Sequence, residues 1–361
     1  MRADFVRCFG RLIIASRIIF WSLPLVNLYS DTQTRPSSAM RKAMAEAEVG
    51  DEQRFEDPQV LSLCERVADL LGMEAAVFLP SGTMCNEIAF RLHIRPGGDE
   101  AILHRMSHPV IAEAGGPAAF AGAMMQPLDT PKGMFTGDDV RAALRPAGDR
   151  YQPRSRLVSV EQTTNMSGGC VWPLEQLRGV VAAAQEAGLR LHMDGARLMN
   201  AVVASGVAAA EMTVGFDTAW LDFTKGLGAP LGAVLAGSSE LIDEAWRYKQ
   251  MIGGSMRQAG IVAAGALYAL DHNVDRLAED HENAAILADG LSSLGFACGD
   301  VETNIVIFEC EDAKSLVAGL EERGVRMGAV GPRRVRAVTH LDVGRDDIQT
   351  ALNALELVGP R

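Results

Sequence analysis

The stretch that decides the fold is residues 189–225, LRLHMDGARLMNAVVASGVAAAEMTVGFDTAWLDFTK. Its largely apolar segments 189–193 and 218–223 have the length of strands, and a charged residue follows each, Asp194 after the first and Lys225 past the second. The separation of Asp194 and Lys225 is long enough for one strand–helix–strand crossover. Strands joined in this way end at the same edge of a sheet, where ligands of such folds bind.

The same alternation continues on both sides of this stretch. Further strands are predicted at 75–79, 101–103, 157–160 and 233–236, and helices at 84–91 and 174–187. We therefore predict an α/β fold with a mostly parallel, doubly wound sheet. A helical segment at 261–294 is expected to bridge to a smaller α+β domain with strands at 304–308 and 334–338 and helices at 313–323 and 346–357. The predicted division is an N-terminal appendage or leader at 1–26, a large domain with an N-terminal arm at 27–275, and a small domain at 276–361.

Composition and charge narrow the function classes. The 361 residues carry a net charge of -12, so nucleic acid is an unfavourable partner. Six scattered cysteines show neither disulfide-scaffold nor zinc-ligand spacing, which predicts reduced thiols in a cytoplasmic protein and no metal site. The apolar run 12–25 is interrupted by Arg17 and is too short and charged for a membrane span, so we expect no membrane association.

Lys225 is the first candidate for chemistry. Small residues surround it in 223–230, FTKGLGAP, so a planar ligand can approach closely, and its amine can form a Schiff base with an aldehyde. A solvent-exposed loop lysine is the plain alternative. A nucleotide-binding glycine loop is a second alternative, but Gly232 comes one position late and Pro230 interrupts the turn.

Three further motifs are weak alone and gain weight together. Asp194 can hold a pyridine nitrogen protonated, although it can equally cap a helix. The turn Ser81-Gly82-Thr83 lies between a strand and a helix, where backbone N–H groups bind phosphate. His108 can stack on a pyridine face, or it can be a structural histidine.

Eight segments, in this order along the chain, resemble the motifs of the low-specificity threonine aldolases. That family belongs to the β-eliminating lyase group of fold-type-I enzymes that use pyridoxal phosphate (PLP). The segments are SDTQTRP (30–36), VGD with EDP (49–51, 56–58), FLPSGT (78–83), His108 with EAGG (113–116), DGAR (194–197), KGLG (225–228), GSMRQ (254–258) and VTHLDV (338–343).

The resemblance implies a role for each matching residue. Lys225 would bear PLP as a Schiff base, Asp194 would pair with the pyridine nitrogen, and His108 would stack on the ring with Glu113 behind it. The cofactor phosphate would be held by Ser81, Gly82 and Thr83, with Arg257 contributed by a neighbouring subunit. The substrate carboxylate would be held by Ser30, Arg197 and Arg336.

The chain departs from the family pattern in substrate recognition. Thr164, in EQTTN (161–165), replaces a histidine that contacts the β-hydroxyl in many members, and Arg54 stands near a position that is often aromatic. A threonine hydroxyl cannot act as a base at neutral pH, so His108 or an ordered water are the candidates.

The implied reaction is retro-aldol cleavage of an L-β-hydroxy-α-amino acid to glycine and an aldehyde. Two alternatives remain open: β-elimination or racemisation on the same scaffold, and a non-catalytic PLP-binding protein. The resemblance also implies a homotetramer built from two dimers.

Overall fold

The computed structural model describes residues 26–94 and 98–359. The predicted appendage therefore lies outside the described residues except for Val26. Val26 begins a short strand, β1 (Val26–Asn27), that pairs with a strand near the C-terminus, and its side chain is buried.

Seven strands form the central sheet. In chain order they are β2 (Ala75–Leu79), β3 (Glu100–His104), β4 (Met124–Leu128), β5 (Ser155–Glu161), β6 (Arg190–Asp194), β7 (Thr218–Asp222) and β8 (Ala233–Gly237). Their order across the sheet is β2-β8-β7-β6-β5-β3-β4. β8 alone runs opposite to the other six strands, because the ten residues 223–232 that join it to β7 are too few for a crossover. The predicted α/β fold with a mostly parallel sheet is confirmed.

Helices cover both faces of this sheet, as a doubly wound fold requires. They are α1 (Ser38–Ala45), α2 (Pro58–Leu71), α3 (Gly82–His93), α4 (His108–Ile111), α5 (Gly116–Ala121), α6 (Gly137–Ala143), α7 (Leu174–Glu186), α8 (Leu198–Ser205), α9 (Ala209–Met212), α10 (Ser239–Met251) and α11 (Gly260–His272).

Alternate side chains of most strands of this sheet enter different apolar cores. In β8, Val234 and Ala236 pack into the core that α2 and α7 cover, whereas Ala233 and Leu235 pack into the core that α3 covers. Strands that are buried on both faces are mostly apolar along their length, which is why they could be predicted from the sequence.

A second sheet is built from the C-terminal residues. The remaining elements are α12 (Leu277–Ser293), β9 (Ala297–Cys298), β10 (Ile305–Glu309), α13 (Ala313–Glu321), β11 (Val325–Arg326), β12 (Gly328–Ala329), β13 (Arg334–Val338) and α14 (Arg345–Val358). Strands β12-β13-β10-β9 form an antiparallel sheet, and β1 pairs with β11. These elements share an apolar core of their own.

The structure differs from the sequence expectation in several elements. The helical segment expected at 261–294 is two helices, α11 and α12, because Asn273 ends the first and its side-chain amide donates to the Leu227 carbonyl, 2.7 Å away. Several further elements were not predicted from the sequence, among them α1, α2, α10 and β4. β4 is an edge strand that contains Pro127, and an edge position tolerates the missing N–H.

Candidate active site

Lys225 lies just beyond the end of β7, in the loop that leads to β8. Its Nζ donates to Oδ2 of Asp222, the last residue of β7, and lies 5.7 Å from the centre of the Trp220 ring. The loop is fixed from the N-terminal side, because the Thr34 hydroxyl donates to the Lys225 carbonyl over 2.9 Å. The amine is therefore held at the sheet edge next to an aromatic face.

Asp194 ends β6, the strand beside β7. It is 1% exposed, and its two carboxylate oxygens accept hydrogen bonds from the Ala196 N–H at 3.0 Å and from Asn86 Nδ2 at 2.8 Å. A carboxylate has about four acceptor positions, so Asp194 keeps capacity for a further donor.

Asn86 of α3 joins the buried polar groups behind the site. Its Nδ2 donates to Asp194 and also to Glu113 Oε1, 2.7 Å away. Its Oδ1 accepts from Trp220 Nε1 at 2.8 Å and lies 3.0 Å from His192 Nε2. Burial, with a smaller contribution from His93, lowers the pKa of His192 to about 3, so this imidazole is neutral at ordinary pH.

His108 stands at the start of α4 with Glu113 behind it. Its Nδ1 is 2.7 Å from Glu113 Oε1. Burial alone would lower the pKa of His108, but the hydrogen bond to Glu113 and the charge of Asp194 outweigh it and raise this pKa. Burial and the adjacent Glu113 raise the pKa of Glu87 to about 8, and neither carboxyl oxygen of Glu87 has another partner.

The N-terminus of α3 faces the same edge of the sheet. Ser81 caps this helix by accepting from the Met84 N–H at 3.2 Å. The first N–H groups of a helix have no partner inside it, so those at Gly82 and Thr83 are suited to an anion. Gly82 packs so closely on Trp220 that an added Cβ would lie 2.3 Å from the ring.

Two arginines differ in how they are paired. Arg197 donates from Nε and Nη2 to both oxygens of the buried Asp31, at 2.7 and 2.6 Å, so this fork is turned toward Asp31. Arg336 donates to Asn165 Oδ1 at 2.7 Å, makes no ion pair within the described residues, and has a buried Nε without a partner. Burial and the nearby Arg197 charge lower the pKa of Arg336, so an incoming carboxylate would be stabilised there.

These groups surround one cavity of about 330 Å³. Its lining is Ser30, Thr32, Ser81, Gly82, Thr83, His108, Glu161, Asn165, Asp194, Ala196, Arg197, Trp220, Asp222, Thr224, Lys225 and Arg336. The lining thus includes every residue predicted from the sequence to contact cofactor or substrate except Arg257. Arg257 lies outside this cavity with an exposed side chain that pairs with Asp51 at 3.0 Å, and Glu113 is buried behind His108.

Sequence reasoning gave no role to three polar residues of the site. Asp222 could have been noticed, because a charged residue inside an apolar strand is unusual. Glu161 follows a predicted strand in the same way as Asp194, and burial together with the Asp194 charge raises its pKa to about 8. Asn86 gave no signal, because polar residues are ordinary within a helix.

The described residues offer neither a metal site nor a membrane-spanning helix. Among residues 26–94 and 98–359, no group of three or more histidine, cysteine or acidic side chains is arranged to hold a metal ion. No helix in this part of the chain is long and apolar enough to cross a membrane.

Comparison with known proteins identifies similar chains. The sequence model of the β-eliminating lyase family matches residues 27–313. The low specificity L-threonine aldolase of Escherichia coli K12 is 41% identical over 327 residues, which cover 90% of this chain and 96% of that protein. Low-specificity L-threonine aldolase 1 of Arabidopsis thaliana is 37% identical, with 92% and 95% covered. The solved structure of a Leishmania major threonine aldolase superposes with a TM-score of 0.81 at 20% identity, covering 92% of this chain and 99% of that one.

Proposed function

The chain belongs to the β-eliminating lyase family, and on that premise we propose that it cleaves L-β-hydroxy-α-amino acids of the threonine type to glycine and an aldehyde. It is a PLP-dependent aldehyde-lyase. The observation that carries the proposal is that the amine of Lys225 and the carboxylate of Asp194 open into one cavity.

The donor set of the cavity fits PLP. A primary amine can form a Schiff base with the aldehyde, and a buried carboxylate with spare acceptor capacity can accept a hydrogen bond from the protonated pyridine nitrogen. A helix N-terminus with nearby hydroxyls can bind the phosphate. We propose that Lys225, Asp194, and Ser81 with Gly82 and Thr83 take these three roles. His108 would cover one face of the ring.

The substrate carboxylate is assigned chiefly to Arg336. Its Nε has no hydrogen-bond partner, and its pKa is lowered because the cation is buried beside the Arg197 charge. A bound carboxylate would supply both a partner and an opposite charge. The Ser30 hydroxyl and Arg197 complete this site, with Arg197 held in place by Asp31. A carboxylate fixed in this way determines which bond to the substrate Cα stands perpendicular to the ring.

The bound cofactor supplies an electron sink for the bond that breaks at the substrate Cα. The chain's own residues orient the substrate and move protons. We assign acceptance of the β-hydroxyl proton to His108 or to a water that it orders, since its Nδ1 is occupied by Glu113 and its other nitrogen is available.

Two measurements test the proposal. Borohydride treatment followed by peptide mapping should place the cofactor on Lys225 and leave the fully buried Lys249 unmodified as an internal control. Incubation with L-threonine or L-phenylserine should release glycine and an aldehyde. Pyruvate or ammonia would instead indicate elimination, and an unmodified Lys225 peptide would defeat the assignment.

We further propose a homo-oligomer, a tetramer of two dimers, in which Arg257 reaches the phosphate of a neighbouring subunit. Large apolar side chains are exposed on the segments around Arg257, namely Phe55, Leu61, Met251 and Ile261. Apolar surface of this kind is typical of subunit contacts. Sedimentation at several concentrations tests the assembly.

Two finer assignments complete the proposal. The separate apolar cores support a large domain at 27–275 and a small domain at 276–361, with the boundary near the break between α11 and α12. The five described cysteines are all free, which supports a reducing compartment such as the cytoplasm.

A further inference from the structure

Asp222 carries a negative charge that its turn does not require. Its Oδ1 accepts from the Thr224 N–H at 3.0 Å and from the Thr224 hydroxyl at 2.9 Å, which closes the turn at the end of β7. An asparagine oxygen would make the same turn. The side chain is 1% exposed, and an ionised carboxylate is costly at such a position unless it is paired.

The second carboxylate oxygen of Asp222 has a different partner. Oδ2 accepts from Lys225 Nζ, the nitrogen that the proposed function assigns to the cofactor. Both residues line the cavity, so the pair faces the space that the cofactor would occupy. The negative charge of Asp222 therefore pairs with the Lys225 amine, whereas the turn needs only one oxygen that accepts hydrogen bonds.

We propose that Asp222 is a catalytic residue that exchanges a proton with the Lys225 nitrogen and keeps that nitrogen protonated when the cofactor is attached. The inference rests on the proposed function. It assigns to this chain a second pocket carboxylate, distinct from Asp194, whose target is the reacting nitrogen.

The proton exchange balances as follows. Asp222 takes one proton from the ammonium group, and the nitrogen lone pair forms a bond to the aldehyde carbon while the carbonyl π electrons move to oxygen. That oxygen takes a second proton directly from nitrogen and the first proton back from Asp222, and it would then leave as water. The nitrogen lone pair completes the double bond, so the nitrogen retains one proton and a positive charge opposite the ionised Asp222.

A pH titration of the holoenzyme's visible absorption tests this proposal, because the band reports protonation of the lysine-bound nitrogen. The ionisable groups around Nζ come from several segments: Asp31 before α1, Cys85 of α3, Asp194 at the end of β6, Arg197 after it, and Asp222 itself. Asp222→Asn removes one charge with little change in shape. Loss of an adjacent opposite charge should lower the midpoint by about 1 to 3 pH units.

The matched control is Glu161→Gln, which removes a carboxyl from the same cavity that does not contact Lys225. It should leave the midpoint within about half a unit, since the charges that interact with Glu161 are those of Asp194, His108 and Arg197 and not that of Lys225. If Asp222→Asn does not fold, Asp222→Ser gives the same readout. An unchanged or higher midpoint in the Asp222 variant overturns the inference, even where threonine cleavage persists. A lowered midpoint without cleavage would leave the inference standing and sink the proposed function instead.

Discussion

At the scale of single residues, Asn86 holds Asp194 and Glu113 in place through one amide group. Replacing it by the similarly sized leucine removes one donor from each of these buried carboxylates and leaves Trp220 Nε1 without its partner. We expect Asn86→Leu to lower the free energy of unfolding by about 3–5 kcal/mol, because the partners left behind include buried charges. Urea unfolding measures this loss.

Asn200→Leu is the matched control for that prediction. Asn200 is also buried, but its side chain contacts a single polar partner, His281, at 3.2 Å. It should cost about 1 kcal/mol. Equal losses in the two variants would show that Asn86 is an ordinary buried amide.

Glu87 predicts a specific dependence of stability on pH. Its pKa of about 8 in the folded chain exceeds the ordinary value, so the folded state binds the proton more tightly than the unfolded state. The stability that this provides is present at low pH and is lost as pH rises through 8. Glu87→Gln cannot ionise, so its stability should fall less between pH 6 and pH 9 than that of the parent.

Urea unfolding at the two pH values provides the comparison for Glu87. The exposed Glu356→Gln variant should keep the parent's pH dependence. If Glu87→Gln also keeps it, the Glu87–Glu113 contact does not hold a proton.

Single residues also show where sequence interpretation stops. Lys225, Asp194 and His108 could be selected because each stands at the end of an apolar run, and motif order assigned their partners. The fork of Arg197, by contrast, is turned to Asp31, a contact between positions 166 apart that no local pattern encodes. Asp222 and Asn86 were passed over for the same reason, because their partners are brought together only by folding.

At the scale of elements, the close contact between the start of α3 and β7 constrains Gly82. Alanine is favoured over glycine in helices by about 1 kcal/mol, but a Cβ here would lie 2.3 Å from the Trp220 ring. The helix must therefore move away from the sheet. We expect Gly82→Ala to weaken PLP binding at least about tenfold, which corresponds to about 1.4 kcal/mol, as measured by absorbance titration.

Gly179→Ala in α7 is the matched control for Gly82. No atom lies within 4 Å of the added Cβ there, so the change should be neutral or slightly stabilising and should not alter PLP binding. Undiminished binding in Gly82→Ala would show that α3 does not hold the phosphate.

Strands buried on both faces were the most predictable elements. Their apolar runs contain no amphipathic period that competes with a strand. The helical stretch at 261–294 was less predictable, because the break at Asn273 depends on a carbonyl supplied by Leu227, far away in the chain. Helix boundaries set by tertiary contacts cannot be located from periodicity alone.

At the scale of the whole molecule, the parallel sheet follows from the alternation of strands and helices, and the ligand edge follows from the parallel sheet. The antiparallel direction of β8 was not predicted, although the loop 223–232 is visibly too short for the crossover that a parallel strand would need. The pairing of β1 with β11 joins the first described residues to the C-terminal part of the chain, and only the folded molecule reveals it.

The proposed assembly predicts that each active site contains residues from two subunits. If Lys225 and Arg257 of different subunits build each site, Lys225→Ala and Arg257→Ala should each impair cleavage. Each mixed dimer of the two variants then contains one site with both residues intact. Since half of the dimers in an equal mixture are mixed, about a quarter of all sites should regain activity after co-refolding. Lys225→Ala mixed with Asp194→Ala is the control: if these two residues act within one subunit, every mixed-dimer site carries one defect, and no activity returns. Recovery in this control, or none with Arg257→Ala, would contradict the shared site.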